Sequence, residues 1–223
     1  MQKLIKRQVN AARSRAMQQA GFSMLELLVV SAMIVVLSGM AAIGIEPVLA
    51  NNRANKAMYQ VVESLRNARM LAMSQNTKVS VQFTADNAIM MQLWNNDSGK
   101  YEDIVNTGVV LDPSTRLENG YQFTRSGLSN VGMPDNFNNG ADYPGDIVFD
   151  KTPVVPANPP SRRFVFTADG FLIEDIDTYQ PINGTIFIGL PDGSKNLSRA
   201  VTVMGATGRI SVWRWKDGWR SGR

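Results

Sequence analysis

The most constraining feature of the sequence is a long apolar stretch close to its N-terminus. Residues 22–45 read FSMLELLVVSAMIVVLSGMAAIGI and contain a single charged residue, Glu26. A helix rises about 1.5 Å per residue, so this stretch is long enough to cross a hydrocarbon core of about 30 Å. The alternative, a buried core helix, is disfavoured because soluble helices seldom stay apolar on every side over this length. We therefore predict a transmembrane helix over residues 22–46.

A basic segment precedes the apolar stretch and predicts its orientation. Residues 1–21 contain five basic residues and no acidic one. Lys and Arg beside a membrane span stay on the cytoplasmic side, which places residues 1–21 inside and the C-terminal bulk outside. The competing interpretation is an ordinary signal peptide, whose apolar region would be shorter and would end in small residues.

The composition removes several classes of site. The chain of 223 residues has no His and no Cys. It therefore forms no Ser-His-Asp or Cys-His nucleophilic site, no His/Cys zinc, haem or iron–sulfur site, and no disulfide. The net charge of +4 does not argue for nucleic-acid binding, because the excess lies in residues 1–21. We expect a protein that is not an enzyme and that needs no cofactor.

The helix is predicted to continue beyond the membrane as an amphipathic segment over residues 47–76. Apolar residues recur there at steps of three and four, which is the pattern of one buried helix face. They are Ala54, Met58, Val61, Leu65, Ala68 and Ala72. We expect this face to pack against a sheet.

Residues 77–223 change to a period of two and are predicted to form a β-rich extracytoplasmic domain. Short strands joined by tight turns favour antiparallel pairing, so the predicted class is α+β. Two stretches rich in Gly, Asn or Pro, residues 126–145 and 151–161, are predicted as surface loops. The predicted strands are 78–83, 89–94, 104–111, 162–167, 171–176, 185–190, 199–204 and 209–215.

The junction between the basic segment and the apolar stretch carries a specific motif. Gly21 is followed by the aromatic Phe22, and Glu26 lies five residues into the segment that begins at Phe22. This arrangement resembles the class III signal of type IV pilins and type II secretion pseudopilins. The resemblance implies a pilin-like fold and a prepilin peptidase that cuts between Gly21 and Phe22 on the cytoplasmic face. It also implies N-methylation of the new Phe22 amine.

The presence of an ionisable residue, Glu26, inside a membrane span needs an explanation. Inserting a charged residue at the centre of a membrane helix costs roughly 2.5–3.5 kcal/mol of free energy. An accidental Glu near the cytoplasmic end is one reading. The other is a latent ion pair, because cleavage creates an ammonium on Phe22. In a stack of subunits, the Glu26 carboxylate of one meets the Phe22 amine of its neighbour and fixes their register.

Three weaker features are similar to the GspH/FimT group of minor pilins and pseudopilins. They are the Arg- and Ala-rich helix end at 64–74, the hairpin at 166–170, and the terminal strand that begins Gly208–Arg209. The resemblance implies a structural subunit of a type IV pilus or a type II secretion filament. Its implied partners are the prepilin peptidase, other pilins or pseudopilins, the inner-membrane assembly platform and membrane lipid. Its implied location is the bacterial inner membrane, and then a periplasmic or extracellular filament.

The C-terminal tail suggests an alternative function, DNA capture. Some FimT-like minor pilins bind DNA through a Gly-Arg-x-Arg motif, which this chain matches at Gly208 and Arg209 but not at Ser211. Cations interleaved with three Trp residues suit a phosphate backbone and unpaired bases. The other readings are Trp residues packed on the sheet beside a solvated basic tail, and contact with a membrane surface. The candidate DNA-binding residues are Arg209, Arg214, Lys216, Arg220 and Arg223.

Overall fold

The computed structural model describes most of the chain after residue 21. The described ranges are 22–84, 87–104, 114–125, 127–128, 132–135, 137, 147–149, 163–173 and 179–222. One long helix, α1 (Met24–Gln75), precedes the strands, and a short 3-10 helix (Lys195–Leu197) lies among them. The strands are β1 (Val79–Phe83), β2 (Ala88–Asn95), β3 (Lys100–Asp103), β4 (Ser114–Arg116), β5 (Ile147–Phe149), β6 (Arg163–Phe166), β7 (Leu172–Ile173), β8 (Gly184–Ile188), β9 (Arg199–Met204), β10 (Arg209–Trp215) and β11 (Trp219–Ser221).

The chain divides into two compact units, Met1–Val48 and Leu49–Arg223. In the first unit, the large apolar side chains of α1 are exposed on all sides of the helix. Within the described residues, no single helix has the length and apolarity of a membrane span. Two helical pieces separated by a bend, Met24–Met40 and Ile45–Gln75, meet that requirement together. The membrane span over residues 22–46 therefore stays a prediction.

The second unit is built on the amphipathic part of α1. All six apolar residues of the predicted stripe are fully buried, while Lys56, Glu63 and Arg66 on the other faces are exposed. The stripe packs in one core cluster with apolar residues of both sheets, such as Phe164 and Ile186. A helix whose apolar residues recur every three or four positions has only this way to remove them from water.

Two antiparallel sheets share this core. The first sheet has six strands in the order β3-β2-β1-β6-β7, with β4 also pairing with β2. The second sheet has five strands in the order β11-β10-β9-β8-β5. Phe83 lies at the centre of the core, in edge-to-face contact with Phe123 and Phe164 at ring-centroid distances of 5.1 and 5.5 Å. The predicted α+β class, with a long helix packed on antiparallel sheets, is confirmed.

The strand predictions succeeded where the alternation is regular. Strands β1, β2, β6, β8, β9 and β10 lie where they were predicted, within a residue or two at most ends. The prediction of a strand over 104–111 is wrong at its first residue, because Ile104 follows the end of β3; residues 105–111 lie outside the described residues. The prediction over 171–176 is confirmed only for Leu172–Ile173, since residues 174–176 also lie outside them. Of the two predicted loops, 151–161 lies outside the described residues, and the described parts of 126–145 contain no helix or strand.

Candidate functional site

The processing motif lies at the very start of α1. Gly21 lies outside the described residues, while Phe22 precedes the helix with 82% of its surface exposed. Ser23 caps the helix, because its hydroxyl accepts a hydrogen bond from the Leu25 amide at 3.3 Å. Glu26 lies in the first turn, where the helix dipole favours a negative charge. Ser23 and Glu26 thus have the spacing of a capping box, which is a local structural reason for a carboxylate at this position.

The apolar side chains of the helix around Glu26 are exposed to solvent. Leu25, Leu28 and Val35 each expose more than three-fifths of their surface, while Val29 and Val30 expose somewhat less than half. Monomeric soluble proteins rarely expose continuous apolar surfaces of this kind, which mark contact with a membrane or a partner. The helix of the first unit therefore presents an exposed apolar surface with a carboxylate at each end, Glu26 near its start and Glu46 just after the apolar stretch.

A second site joins the three features that resemble the GspH/FimT group. Arg69 of α1 donates a hydrogen bond from Nε to the Gly170 carbonyl at 3.1 Å and another from Nη2 to the Thr207 carbonyl at 2.9 Å. We call this arrangement the arginine clamp. It ties the end of the helix to the β6–β7 turn of the first sheet and to the β9–β10 turn of the second sheet. Sequence reasoning noted the three segments but not the arginine that connects them.

The clamp depends on two glycines with left-handed backbones. Gly170 has φ +79° and Gly208 has φ +63°, a region that side chains with a Cβ rarely adopt. A Cβ on Gly208 would overlap the Gly170 carbonyl oxygen and the Arg69 guanidinium. The two turns therefore approach each other closely only because Gly208 lacks a side chain, whereas a Cβ on Gly170 would crowd Arg69 and Met73 of the helix.

We expect the Arg69→Met variant to lower the free energy of unfolding by about 2 kcal/mol. The substitution keeps most of the apolar stem but removes two charge-assisted hydrogen bonds, each of which contributes about 1.5–3 kcal/mol before relaxation. Thermal unfolding followed by circular dichroism measures the change. Arg66→Met is the matched control, because Arg66 lies one turn earlier on an exposed face. Equal stability of the two variants would contradict a stabilising role for the clamp.

A groove of about 590 Å³ lies beside the clamp. Its charged lining residues are Arg66, Arg69 and Arg209, and its apolar ones include the exposed Met70 and Met73. Arg209, the arginine of the partial Gly-Arg-x-Arg motif, therefore belongs to this groove.

The structure separates Arg209 from the other candidate DNA-binding residues that it describes. Arg209 begins β10, whereas Arg214 lies near its other end, about 16 Å away for five residues at about 3.3 Å each. Lys216 and Arg220 lie near Arg214, in and after the β10–β11 turn. Arg223 lies outside the described residues. DNA binding by these residues stays a prediction.

Two of the three Trp residues of the tail, Trp213 and Trp219, pack on the sheet, one of the readings that the sequence left open. Trp213 and Trp219 join a small cluster with Phe187 and Ala200 on the second sheet. The Trp213 Nε1 donates to the Thr202 hydroxyl at 3.0 Å, and the Trp219 Nε1 donates to the Gly132 carbonyl at 3.0 Å. Their ring nitrogens are thus used inside the protein.

One charged residue of the second sheet was missed by sequence reasoning. Arg199 begins β9 on the same side as Val201 and Val203, yet only 2% of its surface is exposed. A signal was present in the predicted strand 199–204, because Arg199 occupies the same side as the apolar Val201 and Val203. No group of three or more acidic side chains suited to a metal occurs among the residues that the structure describes.

Solved structures similar to this chain are minor pseudopilins and a minor pilin. Two structures of the minor pseudopilin EpsH from the Type 2 Secretion System of Vibrio cholerae align with it at 11% and 10% identity, with TM-scores of 0.45 and 0.44. Both cover 73% of this chain, and 97% and 94% of EpsH. The type IV minor pilin FimU of Pseudomonas aeruginosa aligns at 14% identity and a TM-score of 0.41, over 77% of this chain and 94% of FimU. No known protein family and no curated protein matches the chain by sequence. The likeness concerns the fold alone.

Proposed function

We propose that this chain is a structural subunit, a minor pilin or pseudopilin, of a type IV pilus or type II secretion filament. The observation that carries the proposal is the apolar helix surface that follows the Gly21–Phe22 junction. Its described apolar side chains are exposed on all sides, and Glu26 is the one carboxylate within residues 22–45. A surface of this extent needs lipid before assembly and other helices after it.

In this proposal the chain is made as a precursor. Residues 1–21 stay cytoplasmic, residues 22–46 cross the inner membrane, and residues 77–223 fold on the periplasmic face. A prepilin peptidase cuts after Gly21 and methylates the new Phe22 amine. The amphipathic part of α1 then holds the globular domain on the filament surface, with other pilins or pseudopilins and the assembly platform as partners.

In this proposal the apolar helix is covered first by membrane lipid and later by the helices of other subunits. In the membrane, lipid tails cover the apolar side chains, and Glu26 lies near the cytoplasmic end where its carboxylate reaches the interface. In the filament, apolar packing between helices replaces the lipid, and dispersion contacts supply most of the attraction. The Glu26 carboxylate then pairs with the Phe22 ammonium of a neighbouring subunit. The function is therefore structural, without a catalytic step.

Mass spectrometry of the protein purified from its native host tests the processing step. We expect a mature chain that begins with N-methylated Phe22 and lacks residues 1–21. A Gly21→Val variant should retain the leader, because a branched side chain blocks close approach of a protease to the backbone. An intact leader in the wild-type protein, or a start at any other residue, would overturn the proposal.

A further inference from the structure

Three arginines lie side by side across the second sheet. In the antiparallel register Arg199 of β9 pairs with Arg214 of β10, and Arg214 pairs with Arg220 of β11. We call these residues the arginine row. Like charges directly opposite each other on one face of a sheet destabilise it. The row therefore has a cost that its own strands do not offset.

Arg199 is the buried member of the row, and all of its hydrogen-bond partners are neutral. Its Nε donates to the Asn55 side chain at 3.0 Å and its Nη2 to the Asn51 side chain at 3.1 Å. Its Nη1 donates to the carbonyls of Asn196 at 3.2 Å and Ser198 at 2.9 Å. These bonds fix the guanidinium group but leave its positive charge without a counter-charge.

The electrostatics of the row are unfavourable for the same reason. Burial lowers the pKa of the Arg199 guanidinium, and the charge of Arg214 lowers it further. Arginine nevertheless stays protonated in proteins, so the repulsion persists at physiological pH. Each of the Arg199 hydrogen bonds described above goes to an amide side chain or a main-chain carbonyl, and none goes to a carboxylate. No described carboxylate neutralises the row.

Arg214 has an unused donor at the centre of the row. Its Nε is buried and has no hydrogen-bond partner. Buried donors are nearly always satisfied, and an unsatisfied one costs about 1–3 kcal/mol. Arg220 beside it is exposed to solvent. The row thus combines the fixed, buried charge of Arg199, the unsatisfied donor of Arg214 and the solvent-exposed side chain of Arg220.

The surroundings of the row indicate which anion fits. Lys216, in the turn that joins the strands of Arg214 and Arg220, is exposed, and Trp215 and Trp219 meet edge to face at 5.3 Å on the opposite face of the same two strands. Trp, Lys and Arg together are typical of protein surfaces at the headgroup layer of a membrane. Asn51 and Asn55, which hold Arg199, also follow the predicted membrane segment 22–46 by only a few residues in the chain.

We propose that Arg214 and Arg220, beside the buried charge of Arg199, form an oxyanion site for a phosphate group, supplied by an anionic phospholipid of the membrane that holds the subunit before assembly. The membrane source rests on the function proposed above, whereas the oxyanion site itself rests on the row. Guanidinium groups bind phosphate through paired, charge-assisted hydrogen bonds, and one such anion offsets the repulsion of all three arginines.

The test uses the full chain purified in a neutral detergent and measures its Tm. Three probes are titrated: short-chain phosphatidylglycerol, phosphatidylcholine with the same tails, and inorganic phosphate. We expect phosphatidylglycerol to raise the Tm saturably by about 3 °C or more, since a ligand that binds only the folded state stabilises it. Phosphatidylcholine should have no such effect. An equal rise with inorganic phosphate would support the oxyanion site and overturn the membrane source.

Two double variants distinguish binding of the anion at the arginine row from non-specific attraction of the anion to a basic protein. Arg214→Gln with Arg220→Gln should abolish the rise in Tm. Arg66→Gln with Arg209→Gln removes the same charge at the groove beside the arginine clamp and should leave the rise unchanged. No rise in the wild-type protein with either anion, or equal loss in both double variants, would overturn the site. Because purified protein in detergent is measured, failed processing or assembly in cells leaves this result unaffected, so the two proposals fail separately.

Discussion

Glu26→Ala should reduce incorporation of the protein into filaments by more than a hundredfold while leaving cleavage after Gly21 intact. Removing one partner of a buried ion pair costs about 3–5 kcal/mol, because the other charge is then left unpaired in a low dielectric. The Phe22 ammonium would be that unpaired charge in every subunit contact. Since each 1.4 kcal/mol is about a factor of ten, the expected loss exceeds two orders of magnitude.

The measurement compares the amount of the protein in purified filaments with the amount in membranes by quantitative immunoblot. Glu63→Ala is the matched control, because Glu63 is an exposed carboxylate on the same helix and far from the apolar segment. It should assemble as the wild type does. Normal assembly of Glu26→Ala would leave Glu26 with only its local role in the capping box, and would end the pairing hypothesis.

Gly205→Ala should lower the Tm by about 6–12 °C, which corresponds to about 3 kcal/mol for a chain of this size. Gly205 follows β9, and a Cβ there would overlap the backbone atoms of Ile182. Its amide also donates to the Asn183 side chain at 2.8 Å, and its carbonyl accepts a hydrogen bond from the Leu172 amide at 3.0 Å. Because the clash is with backbone and not with a side chain, no rotamer change relieves it.

Gly132→Ala serves as the control for this substitution. A Cβ at Gly132 meets nothing within 4 Å, and Gly132 does not have a left-handed backbone. We expect its Tm to stay within about 1 °C of the wild type, as for most surface substitutions. Circular dichroism of both variants during heating is the measurement. A Gly205→Ala protein as stable as Gly132→Ala would show that the segment around Ile182 shifts freely.

The sequence predicted the parts of the fold that hydrophobic periodicity controls. The stripe from Ala54 to Ala72 is buried because residues three and four apart share one helix face. The start of β2 was predicted because its side chains alternate between buried and half-buried positions, which leaves a regular pattern in the sequence. The short strands Lys100–Asp103 and Trp219–Ser221 were missed, since they form at sheet edges by backbone pairing and carry few buried side chains.

The candidate sites were predictable only where one segment of the chain carries them. Gly21, Phe22 and Glu26 lie within six residues, so the motif is visible without any structure. The arginine row needs the register of three strands, and the arginine clamp needs the approach of two turns from different sheets. Neither property is encoded in local spacing, because register and turn contacts are set by the tertiary packing of the whole domain.

The arginine clamp also bears on how such a domain tolerates change. Arg69 binds two main-chain carbonyls, so among the residues of the two turns it restricts only Gly170 and Gly208, whose added Cβ atoms would crowd its guanidinium. Asp169 and Ala206 point into solvent and are free to vary, whereas Gly170 and Gly208 are fixed by their backbones. Because the contact is made to main-chain carbonyls, the exposed residues of the two turns can change without loss of the link between the sheets. These two turns are therefore suitable places to insert a foreign peptide epitope.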